Sequence, residues 1–263
     1  MSSHHNEENG HLSSVERQDA LLRFLKTHTR ATVEELMVHF NVSPATVRRD
    51  LDALEKEGKV RRFRGGAILG QAPPELPALQ RAEEQSEEKA RIGKAAAELV
   101  QDGDTIFLGS GTTILEVSKN LHGKHGLTVI TNSLLVVNEL ANDAAIETVI
   151  IGGMLRHSEL SMIGHIAEQA LREVRAQKVF MGIRAIDLKH GLTNDYLPET
   201  LTDRAILNIG AKTIILADNT KCGVVATAYL APLSKMDALV TDARTDQDFI
   251  EQLQSMNIQV VVV

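Results

Sequence analysis

Two domains of different architecture are predicted: a small α+β domain over residues 14–70, and an α/β domain over residues 86–263 whose mostly parallel sheet is covered by helices. Three observations carry this. Up to Leu54 the apolar residues recur at helical spacing, and the segment ends in a short basic strand that turns at Gly65-Gly66. Pro73, Pro74 and Pro77 then interrupt any regular element, so residues 71–85 read as a linker. Beyond them short apolar runs alternate with helix-length stretches, the pattern of strands covered on both faces. The polar residues 1–13 read as a flexible tail, and 263 residues suffice for two buried cores.

In the first domain Val15, Leu21, Leu22 and Leu25 mark a first helix. Thr32 and Glu35 have the capping-box spacing, and Val33, Leu36, Met37 and Phe40 follow at i, i+3, i+4 and i+7, so a second short helix buries one face. Asn41-Val42 makes a tight break. Ser43 caps a third helix, and Pro44 takes its first position, where a missing N–H costs nothing. Val47, Leu51 and Leu54 share its apolar face, while Ala45, Arg49 and Lys56 stand opposite, flanked by Thr46 and Arg48. Gly58 stops this helix, and residues 60–63 form a strand that turns back at Gly65-Gly66.

The net charge of −7 argues against a nucleic-acid partner only as an average. Residues 1–70 hold eleven Lys/Arg against ten Asp/Glu, whereas residues 71–263 carry a net −8. Lys59, Arg61, Arg62 and Arg64 stand together without an acid among them, a local positive patch that attracts phosphate. Two short helices joined by a tight turn, with small and basic residues opening the second, fit a helix-turn-helix, and the basic strand-turn makes a wing. The predicted partner is double-stranded DNA. Ser43, Ala45, Thr46, Arg48 and Arg49 would meet it from the helix, where Arg can pair bidentately with guanine, and Lys59, Arg61, Arg62 and Arg64 from the wing. The alternative is a three-helix bundle with a solvated charged face. An aromatic content of 3% without Trp argues against a surface that stacks bases.

In the second domain a helix at 87–100 leads through Asp102-Gly103-Asp104 to a strand at 105–108. Further strands are expected at 128–130, 148–151, 178–181, 213–217, 238–241 and 259–263, with helices at 114–121, 163–174, 201–209 and 247–256. Ligands of such sheets bind outside the carboxyl ends of the strands. Gly109-Ser110-Gly111-Thr112-Thr113 occupies one of these ends: glycines let an anion approach backbone N–H groups, and hydroxyls add donors. The loop lacks both the G-x-G-x-x-G spacing and a P-loop lysine, which argues against a dinucleotide or a nucleoside triphosphate. Thr131-Asn132-Ser133 and Ile151-Gly152-Gly153 follow the next two strands, and three such loops together predict a small anionic ligand. For any one of them a plain strand-to-helix turn is the alternative.

The run Val42-Ser43-Pro44-Ala45-Thr46-Val47-Arg48-Arg49-Asp50-Leu51, followed by Leu54-Glu55 and Arg62-Phe63-Arg64-Gly65-Gly66-Ala67, resembles the N-terminal domain of the DeoR family of bacterial repressors. The resemblance continues through the glycine loops, Ala217-Asp218-Asn219-Thr220-Lys221, Ala231-Pro232-Leu233-Ser234 and Val240-Thr241-Asp242. It implies an operator-binding winged helix-turn-helix joined to a sensor domain similar to ribose-5-phosphate isomerase, which binds a phosphorylated sugar or related anionic metabolite without turnover. By that resemblance Ser110, Gly111, Thr112 and Thr113 hold the phosphate, Thr131, Asn132 and Ser133 lie nearby, and Lys221 reaches the ligand as a point charge. Gly109 and Gly153 complete the expected effector-binding set. Without the resemblance, Lys221 reads equally well as a solvated loop lysine.

One stretch departs from the family: Gly182-Ile183-Arg184-Ala185-Ile186-Asp187 stands where Gly-Ala-Asp-Gly-Ile-Asp is usual. Arginine does not titrate near working pH, so it cannot replace the acid of an isomerase. Arg184 either pairs with Asp187, Asp195 or Glu199, or receives a second anionic group of the ligand.

No catalytic residue, metal or cofactor is expected. Cys222 is the single cysteine, which excludes an internal disulfide and leaves a buried thiol as the common case. His122 and His125 have no carboxylate close in sequence and read as solvated loop histidines. Glu199 and Asp203, four apart, either line the pocket or solvate a helix, the latter being favoured. No apolar run is long enough for a membrane span, so a cytoplasmic protein is expected. One winged module covers a short site, which implies a homodimer or homotetramer reading paired half-sites. The expectation is a repressor of a carbohydrate-metabolism operon, released by a phosphorylated sugar or sugar acid. The alternative is a sugar-phosphate isomerase-type enzyme fused to a DNA-binding domain.

Overall fold

The computed structural model describes residues 13–28, 30–56, 59–63, 65–69 and 77–263. Residues 1–12 of the expected tail, Gly58, Arg64, Gly70 and residues 71–76 of the expected linker lie outside these residues. The chain divides into two compact units, Met1–Pro74 and Glu75–Val263.

The first unit runs α1 (Ser14–His28), β1 (Arg30–Thr32), α2 (Val33–Phe40), α3 (Pro44–Lys56), β2 (Val60–Phe63) and β3 (Gly66–Leu69). The capping box forms: the Thr32 N–H donates to Glu35 at 2.8 Å and the Glu35 N–H to the Thr32 hydroxyl at 3.1 Å. Asn41 adopts φ 50°, the left-handed conformation that ends α2 and turns the chain into α3. Ser43 Oγ then accepts the Thr46 N–H at 3.2 Å. Leu21, Leu25, Leu36, Phe40, Val47, Leu51 and Leu54 make the core. Val15 stays 69% exposed, because the packed stripe of α1 begins beyond its first turn. Two features are additions to the sequence reading. β1 pairs antiparallel with β3, giving the strand order β1-β3-β2. Asp50 is buried in α3, held by Arg17 of α1 through two hydrogen bonds of 2.6 and 3.1 Å.

The second unit continues with α4 (Ala78–Arg81), α5 (Ser86–Glu98), β4 (Thr105–Leu108), α6 (Thr112–Lys119), β5 (Leu127–Thr131), α7 (Leu134–Leu140), β6 (Ile146–Ile150), β7 (Met154–Arg156), β8 (Ser161–Ile163), α8 (His165–Arg172), β9 (Ala176–Gly182), β10 (Ala185–Asp187), β11 (Gly191–Asn194), α9 (Leu197–Leu207), β12 (Gly210–Leu216), β13 (Ala228–Ala231), β14 (Ala238–Thr241), α10 (Gln247–Ser255) and β15 (Gln259–Val262). Seven strands form one sheet in the order β15-β14-β12-β9-β4-β5-β6, every neighbouring pair parallel. Side chains alternate between two cores. Ile106 and Leu108 join Ile92, Ile114 and Val117 on one face, and Phe107 joins Leu171, Ile206 and Phe249 on the other.

The chain starts this sheet in its middle. From β4 it proceeds through β5 and β6 to one edge, then returns to β9 and builds outward through β12, β14 and β15. Loops that follow β4 and β9 therefore diverge, and such a switch point opens a crevice at the carboxyl ends of the strands.

Two expectations need correction, and one sheet is an addition to the mostly parallel pattern. Residues 77–85, read as linker, belong to the second unit: Pro77 precedes α4, where proline starts a helix, and the Ala78 N–H donates to Ser158 O at 2.7 Å. The helix expected at 163–174 begins at His165, because Ile163 completes the antiparallel hairpin β7-β8. A separate antiparallel sheet, β10-β11-β13, lies outside the parallel pattern. Among the described residues no helix is long and apolar enough to cross a membrane.

Candidate functional sites

On the first unit, Ser43, Ala45, Arg48 and Arg49 are exposed at and near the start of α3, and Thr46 is half-buried with its hydroxyl 2.9 Å from that of Ser43. Lys59 is exposed at the entry to β2. The side chains of Arg61 and Arg64 lie outside the described residues. Arg62 differs from the simple picture of a phosphate-seeking wing residue: its guanidinium pairs with Asp52 of α3, and its backbone N–H donates to Glu55 Oε1 at 2.9 Å. The wing is thus tied to the third helix by two acids of that helix.

On the second unit a cavity of about 110 Å³ opens at the switch point. The loops after β4, β9 and β12 line it: Gly109 to Thr113, Gly182 to Arg184, and Ala217, Asp218, Thr220 and Lys221. Gly111, at φ 107°, is the N-cap of α6, so the N–H groups of the first turn meet the cavity without intrahelical acceptors. Thr112 is only 4% exposed, and its Oγ1 has no hydrogen-bond partner among the described residues. A buried hydroxyl left unpaired beside a helix N-terminus suits an anionic ligand.

Arg81, Gln85, Lys89, Glu159, Asn194, Glu199 and Asp203 also line this cavity. Lys89, buried in α5, donates to Arg81 O and Glu84 O at 2.5 Å each and so closes the 81–85 segment over one side. Burial first, and then the neighbouring Arg81, lower its pKa. The acids come from α9 and from the β7-β8 turn. Glu159 pairs with Arg81 at 2.5 Å; Glu199 pairs with Arg156 and accepts the Ser161 hydroxyl at 2.9 Å. Asp203 accepts the Asn194 amide at 2.6 Å, and burial pushes its carboxyl up to about 7.

The sequence held one signal for these acids, the four-residue spacing of Glu199 and Asp203. The favoured reading, a solvated helix face, is corrected: both are buried on the inner face of α9. Arg81, Lys89 and Glu159 had no local signal, since they reach the cavity from three separate elements.

Arg184 lines the cavity with its guanidinium paired to Asp195 at 2.6 Å, one of the ion pairs expected for it. Lys221 lies on the cavity wall. Thr131, Asn132, Ser133 and Gly153 do not line it, which corrects their expected place beside the ligand. They stand at the ends of β5 and β6, away from the switch point, and several of their polar groups serve the fold: Thr131 Oγ1 donates to Leu108 O at 2.7 Å, Asn132 Nδ2 to Met162 O at 3.0 Å, and Ser133 caps α7. Asn132 Oδ1, by contrast, is buried with no hydrogen-bond partner among the described residues. Gly153 stands where a Cβ would lie 2.8 Å from Ile163 O. His122, expected to be solvated, meets Asp143 at 2.7 Å and Glu139 at 3.3 Å, which raises its pKa. Burial pushes the Cys222 thiol up to about 12.

Residues 17–71 match the DeoR-like helix-turn-helix domain, and residues 84–243 match the DeoR C terminal sensor domain. The chain is 33% identical over 248 residues to the HTH-type transcriptional repressor GlcR of Bacillus subtilis, covering 94% of this chain and 95% of that protein. It is 31% identical over 248 residues to the HTH-type transcriptional regulator GolR of Listeria innocua and also to the glycerol-3-phosphate regulon repressor of Escherichia coli, covering 94% of this chain and 98% of each relative. Among solved structures, ribose 5-phosphate isomerase A of Methanocaldococcus jannaschii superposes with a TM-score of 0.39 at 18% identity, over 53% of this chain and 55% of that one. With both domains matched and relatives covered along nearly their whole length, the chain belongs to the DeoR family of transcriptional regulators.

Proposed function

We propose that this protein is a cytoplasmic transcriptional repressor that binds double-stranded operator DNA through its first unit and is released when a phosphorylated sugar or related anionic metabolite occupies the cavity of its second. The observation that carries the sensing half is the cavity at the switch point, with the N-terminus of α6 and the unpaired Thr112 hydroxyl on its wall. Gly109 to Thr113 and Lys221 would hold the phosphate, with Arg184 beside it. The names of the relatives, two repressors among them, support the reading. Ser43, Ala45, Thr46, Arg48, Arg49 and the wing cations would contact DNA, from a homodimer or homotetramer that reads paired half-sites.

Binding without turnover is favoured over isomerase chemistry by the relatives named as repressors. Two of the cavity's acids are held in ion pairs, Glu159 by Arg81 and Glu199 by Arg156, which leaves Asp203, among the acids of α9 and the β7-β8 turn, as the one an isomerase would have to use. A carboxylate held in an ion pair is a poor general base near neutral pH. The test is an operator titration with and without a panel of sugar phosphates, using the double variant Arg48→Ala, Arg49→Ala as the DNA-binding control. The variant should lose roughly thirtyfold to ten-thousandfold in operator affinity, from about 1–3 kcal/mol for each of two base-reading arginines. Unchanged affinity would remove α3 from the interface, and product formation from any sugar phosphate would restore the enzyme reading.

A further inference from the structure

The two sides of the cavity differ in chemistry. On one side stand the first turn of α6 and the Thr112 hydroxyl, which has no partner among the described residues. On the other stand Glu199 and Asp203, one helical turn apart on the inner face of α9, with Glu159 from the β7-β8 turn. Of these three acids, Glu159 and Glu199 already have arginine partners. Asp203 makes no ion pair among the described residues; its carboxyl accepts a hydrogen bond from the Asn194 amide. That amide is fixed in orientation, since its oxygen accepts the Arg184 backbone N–H at 3.3 Å and its NH₂ must therefore face Asp203.

Resting on the sensor reading above, we infer that Asp203 and Asn194 form a second subsite whose ligand group is a protonated amine, so that the effector is a phosphorylated amino sugar rather than a phosphorylated sugar bearing hydroxyls alone. A neutral hydroxyl can only hydrogen-bond to this carboxyl, whereas an ammonium also favours its ionised form and pairs with it. The groups acting on Asp203 leave room for that charge. Arg156 acts on it only through its field, being committed to Glu199; Glu159 repels it; and Arg184 is turned to Asp195. Burial accordingly holds the Asp203 carboxyl far above the usual carboxylate range, the state that an incoming cation reverses.

The experiment is calorimetric titration of the full-length protein with matched pairs at one ionic strength: glucosamine 6-phosphate against glucose 6-phosphate, and galactosamine 6-phosphate against galactose 6-phosphate, with inorganic phosphate alone as a further probe. In at least one pair the amino compound should bind about tenfold or more tightly, the scale of a charged hydrogen bond. Asp203→Asn should reduce that ratio to near one, with binding of inorganic phosphate reporting that the rest of the cavity is intact. Equal or weaker binding of the amino member in both pairs overturns the inference, even if the variant does not fold. So does a preference that survives in Asp203→Asn. If neither inorganic phosphate nor any sugar phosphate binds the wild type, the sensor reading itself fails, a different result from binding without preference.

Discussion

Gly93 is the position where one added methyl group should travel furthest. It is buried in α5 against α6, and a Cβ built there would lie 2.4 Å from Glu116 Cβ, 2.7 Å from the Glu116 carbonyl carbon and 2.9 Å from the Val117 nitrogen. Two of the three atoms are backbone, so no rotamer change relieves the overlap. Carbon atoms pack at about 3.5–4.0 Å, so the two helices must part by roughly 1 Å. Overpacking of this kind costs about 1–3 kcal/mol. For a unit of this size each kcal/mol corresponds to about 2–4 °C, so Gly93→Ala should melt lower by roughly 2–12 °C. The same displacement moves the first turn of α6, and with it the N–H groups at the cavity. Inorganic phosphate should therefore protect Gly93→Ala against heat less than it protects the wild type. Gly152→Ala is the control, since a Cβ there meets no heavy atom within 4 Å. A melting curve and phosphate response matching that control would refute the argument from helix contact.

Two further outcomes are expected. Asp52→Asn removes the partner of Arg62, an ion pair exposed enough to contribute no more than about 1 kcal/mol to stability. It should raise DNA affinity and steepen the salt dependence by about one unit of slope, as one more cation reaches phosphate; an unchanged slope would take Arg62 out of the interface. Asp203→Asn tests the buried carboxyl through pH. A folded pKa of about 7, set by burial, lies above the unfolded value of about 3.9, so the native state holds the proton more tightly. Stability is then fully present at low pH and is lost as pH rises through 7, by at most about 4 kcal/mol. The variant's melting temperature should gain on the wild type between pH 5 and pH 8, and a constant difference across that range would contradict this assignment.

Local chemistry was enough to read much of this protein. The Thr32-Glu35 capping box, the turn at Asn41, the cap at Ser43 and the buried stripe Val47-Leu51-Leu54 all depend on residues within a few positions of one another, and each forms as expected. The alternation of short strands with helices likewise announces a parallel sheet, because each strand must be covered on both faces. What the sequence could not decide is which strand ends face each other. The loops after β4, β5 and β6 each carry glycines or hydroxyls, yet only the first meets the cavity, because strand order puts β4 beside β9 and carries β5 and β6 away from the switch point. Arg81, Glu159 and Asp203 converge for the same reason, from elements 44 to 122 residues apart in the chain. Side-chain periodicity records which face of an element is buried, whereas neighbours across a sheet are chosen by packing of the whole chain, and only the tertiary structure holds that choice.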